Sequence, residues 1–172
     1  MKNLKFSRLF AAIMFVAVLG LTGCKPEPET VEPKAIEGTW LDASYGKSYY
    51  KITASTFENY GEDLTGKAYD SYAGDNVTIV ETSETSGIIY IKYTKALCYT
   101  HSDFDKGVYT YDADAADVGK WYAISYKELT DTSVQLSGAV GAKSSCETLD
   151  EAKEEFTAEK GYFSYYSACA KQ

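Results

Sequence analysis

From residue 36 to the C-terminus the chain breaks into short runs of β-branched and aromatic residues separated by glycines, and it has no proline there. Runs of this kind suit a pleated, half-buried surface far better than a helix. The clearest is Ile88-Ile89-Tyr90-Ile91-Lys92-Tyr93, where Lys92 assigns its own face to water and so directs Ile89, Ile91 and Tyr93 to the core. By the same reasoning Lys51 turns Tyr50 and Ile52 inward. The run after Trp121 is read with Tyr122, Ile124 and Tyr126 inside. The pattern predicts strands at 36–45, 48–53, 56–60, 67–72, 76–82, 87–94, 107–111, 120–129 and 133–140, with glycines near the junctions.

One helix is expected against this background. Thr148-Leu149-Asp150-Glu151 is a capping-box pattern, and Leu149, Ala152 and Phe156 form one apolar stripe among charged residues. Gly161 is expected to end the helix, and 162–169 to return as a last strand. A meander of strands with one late helix predicts a mainly β fold, an antiparallel up-and-down β-barrel, because a flat open sheet would leave exposed edges.

The N-terminus carries a different message. Lys2, Lys5 and Arg8 precede an apolar run that closes on Leu21-Thr22-Gly23-Cys24. A basic start, an apolar segment and a small-residue site before cysteine read as a lipoprotein signal peptide, with Cys24 becoming the acylated N-terminus. Residues 9–21 would reach only about 20 Å as a helix, short of a bilayer core of about 30 Å. Domain organisation follows: a signal peptide at 1–23, a lipidated Pro/Glu-rich linker at 24–34, and the barrel at 35–172. Pro26, Pro28 and Pro33 make the linker an extended spacer of on the order of 30 Å. The expected location is the bacterial cell envelope, with the protein membrane-anchored through its N-terminal lipid. Lys25 after the cysteine favours the outer membrane or cell surface over the inner membrane.

Charge narrows the partners. The formal charge is −8, and removal of Lys2, Lys5 and Arg8 with the leader takes it to −11. An acidic surface does not suit nucleic acid. Arg8 is the sole arginine, so the mature chain lacks the side chain best fitted to grip phosphate or carboxylate at two points. A monomer is expected. Of the cysteines left after Cys24 is lipidated, Cys146 and Cys169 bracket the predicted helix and last strand and are expected to form a disulfide; Cys98 with either is the alternative.

The residues offer little catalytic chemistry. His101 is the only histidine and lies in the polar run Thr100-His101-Ser102-Asp103. No Gly-x-Ser-x-Gly elbow is present, and one histidine without Cys-x-x-Cys lacks zinc-ligand spacing. Asp103 with Asp105, and Asp112, Asp114 and Asp117, read as turns kept soluble by charge rather than calcium loops. No enzyme activity, metal or cofactor is expected.

Gly38-Thr39-Trp40 at the start of the first strand resembles the Gly-x-Trp signature of lipocalins, and the chain is similar to bacterial lipocalin-like lipoproteins in the order of its elements. Residue by residue the resemblance transfers Gly38 and Trp40. It implies that Trp40 closes the barrel floor, normally under an arginine from a late strand; Lys127 or an aromatic is the expected substitute here. The lipoprotein signal, the strand meander with one late helix and the missing catalytic set lead us to expect a small apolar or weakly polar ligand inside the barrel, lined by the inward residues Tyr50, Ile52, Ile89, Ile91, Tyr93, Tyr122, Ile124 and Tyr126. The alternative is a surface-displayed module that binds a host or envelope protein, possibly as an inhibitor, and holds no internal ligand.

Overall fold

The computed structural model describes residues 35–44 and 46–172. The expected lipidation site Cys24, the expected leader and linker, and Tyr45 lie outside the described residues. The elements are β1 (Gly38–Asp42), β2 (Lys47–Ile52), β3 (Thr56–Glu62), β4 (Ala68–Ser83), β5 (Ser86–Leu97), β6 (Tyr111–Asp112), β7 (Trp121–Lys127), β8 (Ser133–Gly138), α1 (Leu149–Glu155) and β9 (Ser167–Lys171).

Each strand from β1 to β5 pairs antiparallel with the next; β5 pairs with β7, β7 with β8, β8 with β9, and β9 with β1. The ring is a closed eight-stranded antiparallel barrel with one C-terminal helix. Strand β6 is a two-residue spur on the end of β5. Closure satisfies both sides of every barrel strand. The β1–β9 seam is the shortest join, pairing only Trp40 with Lys171 and Leu41 with Ala170.

Register sets the inner face, because directly opposed residues point to the same side of a sheet. Trp40 opposes Tyr50, Ile52 opposes Phe57, Ile89 opposes Ile124, Ile91 opposes Tyr122, and Tyr126 opposes Leu136. These side chains share the interior. Trp40, Phe57, Ile89, Ile91 and Ile124 leave no surface that water could reach, so the lower half of the barrel is packed solid. The Trp40 indole N–H donates to the Ile36 carbonyl at 2.8 Å, which satisfies the one polar atom buried with that ring.

Gly38 has φ 143°, and a β-carbon there would come within 3.0 Å of Lys171 Cε. The glycine of the Gly-x-Trp pair therefore lets the last strand close over the tryptophan. The lysine that covers the ring is Lys171, with Nζ 5.1 Å from its centroid. Lys127, expected in that place, instead stands 3.9 Å over the Tyr166 ring. The difference follows from register: Lys171 opposes Trp40 on the inner face, whereas Lys127 alternates with inward Tyr126 and faces out.

The segments predicted at 67–72 and 76–82 are one strand, β4, which runs through Gly74. The chain does not turn there because Gly74 faces inward opposite Tyr93, and the absent side chain lets β5 press close. A β-carbon on Gly74 would lie 2.8 Å from the Lys92 carbonyl oxygen and 2.9 Å from the Ile91 side chain. Gly74→Val is expected to destabilise the barrel by about 1–3 kcal/mol through overpacking, read from the urea unfolding midpoint. An unchanged midpoint would show that β4 and β5 are not in this close contact.

Residues 107–111 do not form a barrel strand: beyond one bridge from Asp103 to Val108 they run as loop into β6. The last strand starts at Ser167 rather than at 162, and the helix stops at Glu155. Its capping box forms as read, Thr148 accepting from the Glu151 N–H and Glu151 answering to the Thr148 N–H. It stops early because the Glu155 carboxylate accepts from Lys160 at 2.8 Å and Tyr162 at 2.5 Å, holding the chain in a return turn. Helix α1 lies against β5 and β7, and the outward pair Tyr90 and Ala123 on those strands is buried.

The expected Cys146–Cys169 disulfide is not formed; both are buried free thiols, as is Cys98. Cys169 opposes Val134 on the inner face, whereas Cys146 bridges Trp121, which alternates with inward Tyr122 and so faces outward. The two thiols are on opposite sides of the barrel wall.

Candidate functional site

Above the packed half, tyrosines take over from isoleucines. Tyr93 and Tyr122 stack at 5.0 Å between ring centroids, and Tyr72 meets them edge-on at 6.2 and 5.6 Å. Tyr72 also stacks on Phe57 at 5.5 Å, which ties the group to the core. These rings floor a cup of about 370 Å³ at the open end, walled by Tyr99 and Tyr111 on one side and by Ala139, Val140 and Lys143 on the other. That size lies within the range of small-molecule clefts.

The cup is apolar in its faces and polar at its tips. The Tyr122 hydroxyl donates to the Ala139 carbonyl at 3.0 Å, anchoring its ring. Asp117 at the rim accepts from the Ser144 hydroxyl at 2.8 Å and the Ser145 hydroxyl at 2.7 Å, which ties that part of the wall in place. Burial, reinforced by the neighbouring phenols, lifts Tyr72 and Tyr93 well above the ordinary phenol range, and burial is the main cause of the rise at Tyr122. All three are neutral hydrogen-bonding groups, unsuited to act as bases near neutral pH.

These shifts, with burial pushing the Cys169 thiol up to about 12, set an alkaline limit on the fold. Below the ordinary thiol and phenol values of 9.0 and 10.0 the groups are neutral in both states. Above those values the unfolded chain sheds protons that the native barrel retains, so stability is expected to fall from about pH 9 towards 12. The share of tyrosinate absorbance that belongs to the three buried phenols should then rise only together with the loss of circular dichroism. Ionisation of these phenols near their ordinary value with the β-signal intact would contradict the burial.

Eight residues were expected to line a ligand site, and all eight face the interior. Only Tyr93 and Tyr122 reach the cup. Ile52, Ile89, Ile91 and Ile124 seal the core, Tyr126 lies beside Leu136 lower down, and Tyr50 packs against Phe57. Tyr72 was missed because β3 and β4 slip register between Glu58 and Tyr60, which breaks the two-residue alternation used to assign faces. Tyr99 and Tyr111 belong to the β5–β7 connection, where no periodicity guides the reading. No family model, characterised protein or solved structure matches this chain.

Elsewhere two of the acidic residues singled out in the sequence, Asp103 and Asp112, are engaged. Asp103 caps the turn at Phe104–Lys106 and pairs with Lys106 at 2.6 Å. Asp112 accepts from the Asp114 N–H and lies 3.3 Å from His101 Nδ1; the first of these bonds leads in lowering its pKa. Among the described residues no three His, Cys, Asp or Glu converge as a metal site. A groove of about 450 Å³ on the outer wall is lined by Lys51, Glu58 and Lys95, whose charges are matched in the pairs Lys51–Glu58 at 3.6 Å and Lys95–Asp70 at 3.2 Å.

Proposed function

We propose that this is a lipid-tethered lipocalin-like barrel of the bacterial envelope, without catalytic activity, that binds a small apolar or weakly polar molecule at its open end. The observation that carries this reading is the tyrosine cup: three mutually packed rings, held neutral, flooring an open pocket of ligand size above a solid core. The ligand sits on Tyr93 and Tyr122 rather than passing down into the barrel, because the isoleucine layer beneath them leaves no room. Phenol faces supply apolar contact and their hydroxyls one or two oriented hydrogen bonds.

Native mass spectrometry of the purified protein tests this directly. A co-purifying small molecule is expected, and Val140→Asp, which sets a charge on the exposed rim, should reduce its occupancy about tenfold. A protein that carries no adduct, and whose tyrosine emission is unmoved by N-phenyl-1-naphthylamine, would refute the reading.

A second reading has its own support. Tyr99, Phe104 and Tyr109 touch in series, at 5.8 and 5.6 Å, and remain 59%, 46% and 61% exposed. Such an apolar ridge at the open end suits docking of a host or envelope protein. Phe104→Ser would abolish that docking while leaving the cup intact.

A further inference from the structure

A second pocket of about 450 Å³ opens beside the cup and shares Tyr111 with it; Asn59, Ser71, Tyr69 and Tyr109 complete the part that matters here. It forms where β3 and β4 lose register between Glu58 and Tyr60. Asn59 and Ser71 flank that slip, 9% and 6% exposed. Asn59 spends its amide N–H groups on Ser48 Oγ at 2.9 Å and the Tyr49 carbonyl at 3.1 Å. Among the described residues its side-chain carbonyl accepts no bond and the Ser71 hydroxyl makes none. Among the described residues no fully buried side-chain polar atom lacks a partner. The two atoms are therefore not fully buried, and both residues line this pocket, where a ligand would supply each with its missing partner.

The rest of the lining says what kind. Tyr69 and Tyr109 offer partly exposed ring faces. Of the carboxylates at the rim, Asp70 is paired with Lys95 at 3.2 Å, and Asp63 Oδ1 accepts from the Thr65 N–H, the Thr65 hydroxyl and the Lys67 N–H. Among the described residues no lysine lines the pocket, and the only arginine of the chain is Arg8. We propose that this pocket is a binding site for a neutral saccharide unit, its apolar face on Tyr109 and its hydroxyls bonded to the Asn59 carbonyl and the Ser71 hydroxyl. An anion finds no cation among the described lining residues. Asn59, Ser71 and Asp70 also border the outer-wall groove, but that side carries Lys51 and Lys95 with one ring, Tyr60, where this one carries three tyrosine rings and no lysine. The inference stands apart from the cup and survives its failure.

The test is calorimetric titration of the full chain in phosphatidylcholine nanodiscs with maltotriose and with chitotriose, against empty nanodiscs. Saturable binding of at least one is expected. Ser71→Ala should weaken it about fivefold, the loss of one hydrogen bond, and Tyr109→Ala about tenfold, the loss of a stacking face. Both replacements are small or exposed enough to leave the fold intact, which circular dichroism checks. Lys95→Ala and Val140→Asp should change it less than about twofold, the first because the outer groove is not the site and the second because the cup is not. Absence of heat with both sugars, tighter binding of spermidine than of either, or a loss caused by Lys95→Ala but not by Tyr109→Ala would each overturn the proposal.

Discussion

Trp40→Ala is expected to lower the free energy of unfolding by about 3–5 kcal/mol, the range for removing a fully buried large side chain. The site has little capacity to collapse. Trp40 is held by its N–H bond to Ile36, by Tyr50 opposite it on β2, and by Lys171 above its ring. It also stands at the β1–β9 seam, which has only two paired positions, so the lost packing falls where closure is least supported. The urea midpoint should drop, and amide exchange in β1 and β9 should quicken ahead of that in β5 and β7. Lys171→Met is the informative contrast. It removes a charge over the ring but keeps an apolar cover, and should cost about 0.5–1 kcal/mol. If Lys171→Met proved as damaging as Trp40→Ala, the charge and not the packing would be closing the floor.

Phe156→Ala is the second large effect, expected at about 3–5 kcal/mol. Phe156 caps the end of α1, is fully buried, and meets Tyr122 at 6.1 Å and Tyr162 edge-on at 5.1 Å. Through Tyr122 it braces the cup, and through Tyr162 it holds the turn that brings the chain back to β9. A helix of seven residues has little stability of its own in water, so its order depends on this anchor. Phe156→Leu, which keeps most of the volume, should recover more than half of the loss. Helical circular dichroism and the urea midpoint would be followed together; a midpoint shifted by less than about 1 kcal/mol would show that α1 rides on the barrel without supporting it.

The parts of the site that local pattern could reveal were those within unbroken alternation. Lys92 settled the face of β5, and β7 followed through Tyr122, Ile124 and Tyr126, because a strand's side chains alternate whatever surrounds it. The helix start was equally legible, since the bonds between Thr148 and Glu151 span three residues. Tyr72 was not, because the slip opposite Glu58 and Tyr60 depends on two strands meeting, and it moves Ser71 and Tyr72 of β4 into places that β4 alone does not prescribe. Tyr99 and Tyr111 reached the cup by a connection whose path is set by what it covers.

The amino-acid order alone determined that a ring of alternating strands would form and which stripe of isoleucine and tyrosine would turn inward. Pairing across the chain decided the rest: that Gly74 lies within a strand rather than ending one, that Lys171 rather than Lys127 covers Trp40, that Cys146 and Cys169 occupy opposite sides of the wall, and that the space stays open only at the tyrosine end. The physical reason is range. Alternation and capping act over two to four residues, whereas register, bulges and the filling of the lumen depend on partners tens of residues away.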